Sequence, residues 1–151
     1  MTKTLSPSFA AGIVGSSIPN ALPKVIEDTL WVERNSLLEV ARLLRGAPEF
    51  DLDFLSSVTG VDWHPTHFEL VYHLVSLTHN HSLVLKTRTS DRANPVVPSL
   101  VSVWCGANLQ EREVYDLMGI GFSGHPNLKR VLLWDEFVGH PLRKDFVPGS
   151  H

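Results

Sequence analysis

The run HFELVYHLVSLTHNHSLVLKTRTS, residues 67–90, restricts the possible folds more than any other part of the chain. Its two β-rich arms flank THNH, where Asn80 tolerates the backbone of a tight reversal, so a β-hairpin is expected to pair about 67–77 with 82–89. Along the first arm Phe68, Leu70, Tyr72 and Leu74 point one way, and Val71, Val75 and Leu77 the other. Both faces are apolar enough to need at least partial cover from helices or a partner. A chain of 151 residues, 43% of them hydrophobic, can build one covered core and is too short for two.

The remaining elements follow from local pattern. Residues 1–28 are rich in Ser, Gly, Pro and Ala without a sustained period and read as a loose N-terminal arm. A first strand is expected near Thr29–Glu33. NSLLEVARLLRG then predicts a helix with Asn35 or Ser36 as cap, a wide apolar stripe and Gly46 as stop. PEFDLDFLSSVTGVDW predicts a second, shorter helix from about Glu49 to Val58, with Phe50, Phe54 and Leu55 inward, before a strand-like VDW. Pro98 suits the first turn of a short helix in PSLVSVWCG, Gly106 breaks it, and another helix begins at Asn108. The sum is an α+β fold: a small mixed or antiparallel sheet with helices mainly on one side over 29–118, then an extended tail over 119–151.

Composition removes several function classes. A formal charge of −3 supplies no drive toward nucleic-acid phosphates. The single Cys105 rules out an internal disulfide, a Cys₄ cluster or a thiolate-rich zinc site made by this chain alone, and fits a reducing compartment. MTKTLSPSFAAGIVGSS is a poor signal-peptide core and lacks the arginine of a transit peptide. The most apolar segment, FELVYHLVSL, is about half a membrane span and contains Glu69 and His73, so attachment to a membrane is expected only through a partner, on the cytoplasmic side.

The densest charge lies in EREVYD, residues 111–116. With Asn108 as cap, Glu111 is the N3 residue of a capping pair. Arg112, Glu113 and Asp116 then form one polar helix face, on which Arg112 and Asp116 can pair for only about 0.3–0.5 kcal/mol. A stand-alone hydrolase would use Glu111 and Glu113 as acid and base together with a histidine, but two residues apart on a helix the two carboxylates diverge by roughly 200° and cannot readily flank one bond. Among the eight histidines, His64 with His67 is interrupted by Pro65, and His79 with His81 sits at the hairpin turn; no HExxH is present. Cys105 has no basic motif beside it and reads as a buried, inert thiol. Gly-x-Ser-x-Gly, Walker A and Gly-x-Gly-x-x-Gly loops are missing, and no cofactor site is evident.

From Gly119 onward glycine and proline punctuate the chain so often that only RVLLWD can be regular. Phe122, Leu132, Leu133, Trp134, Phe137 and Phe146 are nevertheless costly to leave in water, so the tail must lie against something.

The whole stretch EREVYDLMGIGFSGHPNLKRVLLWDEFVGHPLRKDF, Glu111–Phe146, resembles the signature of the 30 kDa (C-type) subunit family of respiratory complex I, the proton-pumping NADH:quinone oxidoreductase. The likeness lies in the Glu-Arg-Glu-x-aromatic-Asp helix, the Gly-Ile after it, the Gly-His-Pro, the basic-Arg-hydrophobic-Leu step and the closing Gly-x-Pro-Leu-Arg-Lys-Asp-aromatic. Residues 29–146 follow the family's order. The resemblance implies a subunit of the hydrophilic arm with no redox centre and no activity of its own. It would pack against the hydrogenase-large-subunit-like, quinone-site subunit and the iron–sulfur subunits, and the clusters, FMN and quinone would belong to those partners. Carried over by residue type, the partner interface comprises Glu111, Arg112, Glu113, Asp116, His125, Pro126, Arg130, Pro141, Leu142, Arg143, Lys144 and Asp145, with Phe122, Trp134 and Phe146 buried on the partner. Membrane-bound hydrogenases and ferredoxin- or F420-linked quinone reductases share the signature, so the electron donor stays open.

Overall fold

In the computed structural model, which describes residues 2–149, the strands are β1 (Lys3–Thr4), β2 (Lys24–Ile26), β3 (Thr29–Trp31), β4 (Phe54–Trp63), β5 (His67–Ser76), β6 (His81–Thr89), β7 (Val96–Pro98) and β8 (Gly121–Ser123). The helices are α1 (Pro7–Ser17), α2 (Leu37–Gly46) and α3 (Ala107–Met118). Residue 1 of the expected arm and residues 150–151 of the expected tail lie outside the described residues. The main sheet has the order β2-β3-β6-β5-β4, and β1 also pairs with β6. Its β4, β5 and β6 are antiparallel, whereas β1 and β3 run parallel to β6, so the sheet is mixed. A second, two-stranded sheet pairs β7 and β8 in parallel.

The expected hairpin is β5 with β6, in register from Phe68 opposite Thr89 to Ser76 opposite His81, with Asn80 at φ 53° in the turn. Phe68, Leu70, Tyr72 and Leu74 are all buried and join one core with Ala10 and Val14 of α1, Leu37, Val40, Ala41 and Leu44 of α2, and Val114 and Met118 of α3. On the opposite face Val71 and Glu69 are buried, but His73 and Arg88 are exposed. Lys86 lies over the Trp31 ring there, so long side chains rather than helices shield that face.

Three segments depart from the sequence expectation. Part of the expected loose arm is helical: Ser6 caps α1 by accepting from the Phe9 N–H, Pro7 opens it, and Ala10 and Val14 are fully buried. The expected helix over 49–58 gives way to β4, whose pairing with β5 contains a bulge between Leu55 and Ser57. The bulge resets the alternation, so Leu55 and Val58 are buried while Phe54 stays half exposed; Phe50 is buried in the preceding loop. PSLVSVWCG forms no helix. Pro98 ends β7, Trp104 turns inward and donates its indole N–H to the Leu52 carbonyl, and Cys105 is exposed rather than buried.

The packing of α3 on β4 depends on Gly60. A Cβ there would lie 2.7 Å from Met118 Sδ and 3.1 Å from Val114 Cγ1, so the missing side chain sets how closely the helix approaches the strand. Gln110 of the same helix accepts the Val58 N–H of edge strand β4. Among the described residues no helix is long and apolar enough to cross a membrane.

Candidate functional site

The charged helix and the punctuated tail form one unit, held together inside the chain. Because α3 starts at Ala107 with Gly106 in the cap position, Asn108 does not cap it and Glu111 is not half of a capping box. Glu111 is fully buried instead. One carboxylate oxygen accepts from Ser99 Oγ at 2.6 Å and the other from the Leu100 N–H at 2.8 Å, tying α3 to the end of β7. Burial pushes its pKa up to about 7 against the opposing effect of those two donors. The Tyr72 hydroxyl, buried without a hydrogen-bond partner in the described residues, is raised first by burial and then by the nearby Glu111 charge.

Asp116 is also fully buried, but it has more donors. Its Oδ2 accepts the successive backbone N–H groups of Val131, Leu132 and Leu133 at 3.1, 2.8 and 3.0 Å, and its Oδ1 accepts from Arg130 Nη1 at 3.0 Å. Burial would raise this carboxyl; the three amides and the Arg130 guanidinium outweigh it, and the pKa falls below the ordinary aspartate value. RVLLWD is irregular for the same reason, since its amides converge on one carboxylate instead of a ladder. Arg130 also donates to the Gly139 carbonyl, and Arg112 donates to the carbonyls of Lys129 and Arg130. The expected Arg112–Asp116 pair is therefore replaced by Arg130–Asp116, and the polar face is not continuous: Glu111 and Asp116 turn inward, and Glu113 is exposed.

The end of the tail is fixed by a second carboxylate. Asp62 on β4, 4% exposed, accepts from Arg92 Nη1 at 2.6 Å and from the Lys144 backbone N–H at 2.8 Å. Burial raises Asp62, but the Arg92 and Lys144 hydrogen bonds outweigh it and its pKa also lies below the usual range. Arg92 stands 4.4 Å and Arg143 5.0 Å from the Phe68 ring centroid, so two guanidinium groups cover the end of the core. Arg143 Nε donates to the Met118 carbonyl, and His140 Nδ1 to the Asp116 carbonyl. Both side chains press on Gly119 (φ 72°), where a Cβ would meet His140 at 2.6 Å and Arg143 at 2.8 Å.

The expected interface residues thus divide. Glu111, Asp116 and Phe122 are buried in the chain's own fold, with Phe122 opposite Val97 in the small sheet. Arg112, Arg130 and Arg143 are engaged by the tail and α3 as above. His125 accepts the Asn127 N–H at Nδ1 and meets the Asn108 carbonyl through Nε2, while Pro126 is exposed. Pro141 is half-buried; Lys144 lies 5.8 Å from the Trp63 ring centroid, and Asp145 lies 3.7 Å from Arg92. Trp134 and Leu142 are 64% and 59% exposed. Phe146 is half-buried and stacks on Phe137, which in turn meets Trp134 edge-on. Asp62, Arg92 and Phe68 were not among the expected site residues; no local motif links Asp62 to Lys144, which lies 82 positions away.

Buried Glu111 and exposed Glu113 face different environments and do not converge. His79 and His81 each engage a loop carbonyl, of Pro48 and Phe50, and among the described residues no group of three or more His, Cys, Asp or Glu could hold a metal ion.

Fold and site define a small α+β domain that folds an irregular, aromatic-rich tail onto itself through two buried carboxylates. Residues 30–151 match the family model described as respiratory-chain NADH dehydrogenase, 30 Kd subunit, and the chain belongs to that family. It is 46% identical over 124 residues to the C subunit of the NADH-quinone oxidoreductase of Roseiflexus castenholzii, covering 81% of this chain and 71% of the relative. It is 47% identical over 95 residues to the C/D subunit of the NADH-quinone oxidoreductase of Phocaeicola vulgatus, a match spanning 63% of this chain and 18% of that longer one. The fold is similar, at 24% identity and a TM-score of 0.73, to a chain in the structure of the membrane-bound sulfane sulfur reductase, an archaeal respiratory membrane complex; 93% of this chain and 85% of that one are covered.

Proposed function

We propose that this chain is the non-redox, structural C-type subunit of a proton-translocating NADH:quinone oxidoreductase, and that it docks the quinone-site subunit and the iron–sulfur subunits on the cytoplasmic side of the membrane. One observation carries the reading: charged side chains fix the tail's inner surface to the domain, while its outer surface leaves large apolar groups in water. FMN, the iron–sulfur clusters and quinone would then be held by partner subunits. The C/D name of the Phocaeicola vulgatus relative supports a D-type subunit as the direct neighbour. The relatives' names favour NADH as the electron source over the hydrogenase, ferredoxin and F420 versions. A stand-alone hydrolase built on Glu111 and Glu113 is disfavoured by their separate environments.

Affinity capture of the tagged chain from detergent-solubilised membranes tests this. Recovery with iron–sulfur subunits and the D-type subunit, together with NADH:quinone reductase activity, is expected; recovery of the chain alone would sink the proposal.

A further inference from the structure

The face of the main sheet that carries no helix holds a cavity of about 300 Å³, at the lower end of the range for small-molecule sites. Glu69 of β5 lines it and is only 8% exposed. Its carboxylate makes no hydrogen bond among the described residues, and its one ionic contact there is His67 Nε2 at 3.5 Å. A carboxylate can accept from about four donors, so this one is buried short of partners. Directly opposite it in register on β6 stands Arg88, exposed and likewise without a side-chain hydrogen bond or ion pair among the described residues. Side chains opposed in this way start about 5 Å apart on one face of the sheet, yet these two opposite charges do not close on each other. The cavity wall thus presents a negative and a positive group side by side. Lys24 and Glu33 add one more charge of each sign, and Trp31, Leu22 and Ile26 supply an apolar wall.

We infer that this cavity binds a small zwitterion, an α-amino acid with an apolar side chain, whose ammonium group meets Glu69, whose carboxylate meets Arg88 and whose side chain lies against Trp31, Leu22 and Ile26. The ammonium supplies the donors that Glu69 lacks, and charge-assisted hydrogen bonds of this kind are the strong ones. A simple anion would bring its charge up to Glu69 and a simple cation up to Arg88, so each fits less well. A metal ion is a poor occupant too, because among the described residues no group of three or more His, Cys, Asp or Glu could hold one. The inference is independent of the function proposed above, since neither α3 nor the tail lines the cavity.

The test titrates the full chain with L-leucine and follows the indole N–H resonance of Trp31, identified by its loss in Trp31→Phe. A shift that saturates in the millimolar range or below is expected. Isoamylamine, which lacks the carboxylate, and isocaproate, which lacks the ammonium, should each bind about tenfold more weakly. Glu69→Gln should bring L-leucine down to the level of isocaproate, and Arg88→Gln should bring it down to the level of isoamylamine, with thermal melting as the check on the fold. The Arg88 variant alters an exposed side chain, so it decides the matter even if Glu69→Gln does not fold. No saturable shift with L-leucine, equal binding of the three probes, or an Arg88→Gln chain that keeps the wild-type preference for L-leucine over isoamylamine would each overturn the inference. All three results leave the proposed function standing.

Discussion

Glu111 and Asp116, five residues apart on one helix and both fully buried, take opposite electrostatic courses. Glu111 has two donors, too few to offset its burial, whereas Asp116 has three amides and a guanidinium. A carboxyl whose pKa is raised on folding adds stability that is full below its unfolded value and is lost as pH rises through the folded value. For Glu111 that window runs from about 4.5 to about 7. Glu111→Gln, which can still accept from Leu100 and donate to Ser99, should flatten this dependence in pH-resolved chemical denaturation and leave the variant roughly 3 kcal/mol more stable than wild type at pH 8. For Asp116 and Asp62 the sign reverses: their contribution is present above the ordinary aspartate range and is lost as pH falls below it. Asp116→Ala should cost about 3–5 kcal/mol at neutral pH, because Arg130 and three buried-side amides lose their common acceptor. The sequence makes the density of charge plain but conceals its direction. A helical wheel groups residues by angle and carries no information on which distant backbone donors arrive.

Local pattern specifies the β5–β6 hairpin, α2 and the body of α3, because each has a strong period and clear stops. It fails for α1, whose buried side is made of Ala10 and Val14 rather than a bulky stripe, although Ser6 and Pro7 are a legible start signal. It also fails for β4, where the bulge after Leu55 breaks the alternation on which a strand is recognised. Gly60, just past the end of the helix expected over 49–58, is a site of close approach for α3. Gly60→Val should therefore lower stability by about 1–3 kcal/mol in denaturant titration, since Val114 and Met118 must retreat together with the helix that carries Asp116.

At the scale of the whole molecule, the need for the tail to lie against something is legible in its aromatic content. The identity of the covering surface is not, because the ties from Asp116 and Asp62 join residues far apart in sequence. The chain covers the inner side of the tail itself and leaves Leu132, Trp134, Val138 and Leu142 of the outer side exposed. Arg143 shows the consequence. The sequence suggests a charge paired across a subunit joint, but its guanidinium donates to the Met118 carbonyl and covers Phe68 within the chain. Arg143→Ala should accordingly lower the thermal stability of the free chain, by about 1–2 kcal/mol, in addition to any effect on assembly.

The central claim is that buried carboxylates hold the tail in docking form before any partner arrives. Hydrogen exchange at the Val131, Leu132 and Leu133 amides of the free full-length chain tests it most directly. Slow exchange at all three, abolished by Asp116→Ala, is the predicted result. Exchange at the rate of an unstructured peptide in the free chain, with protection only after assembly, would contradict it.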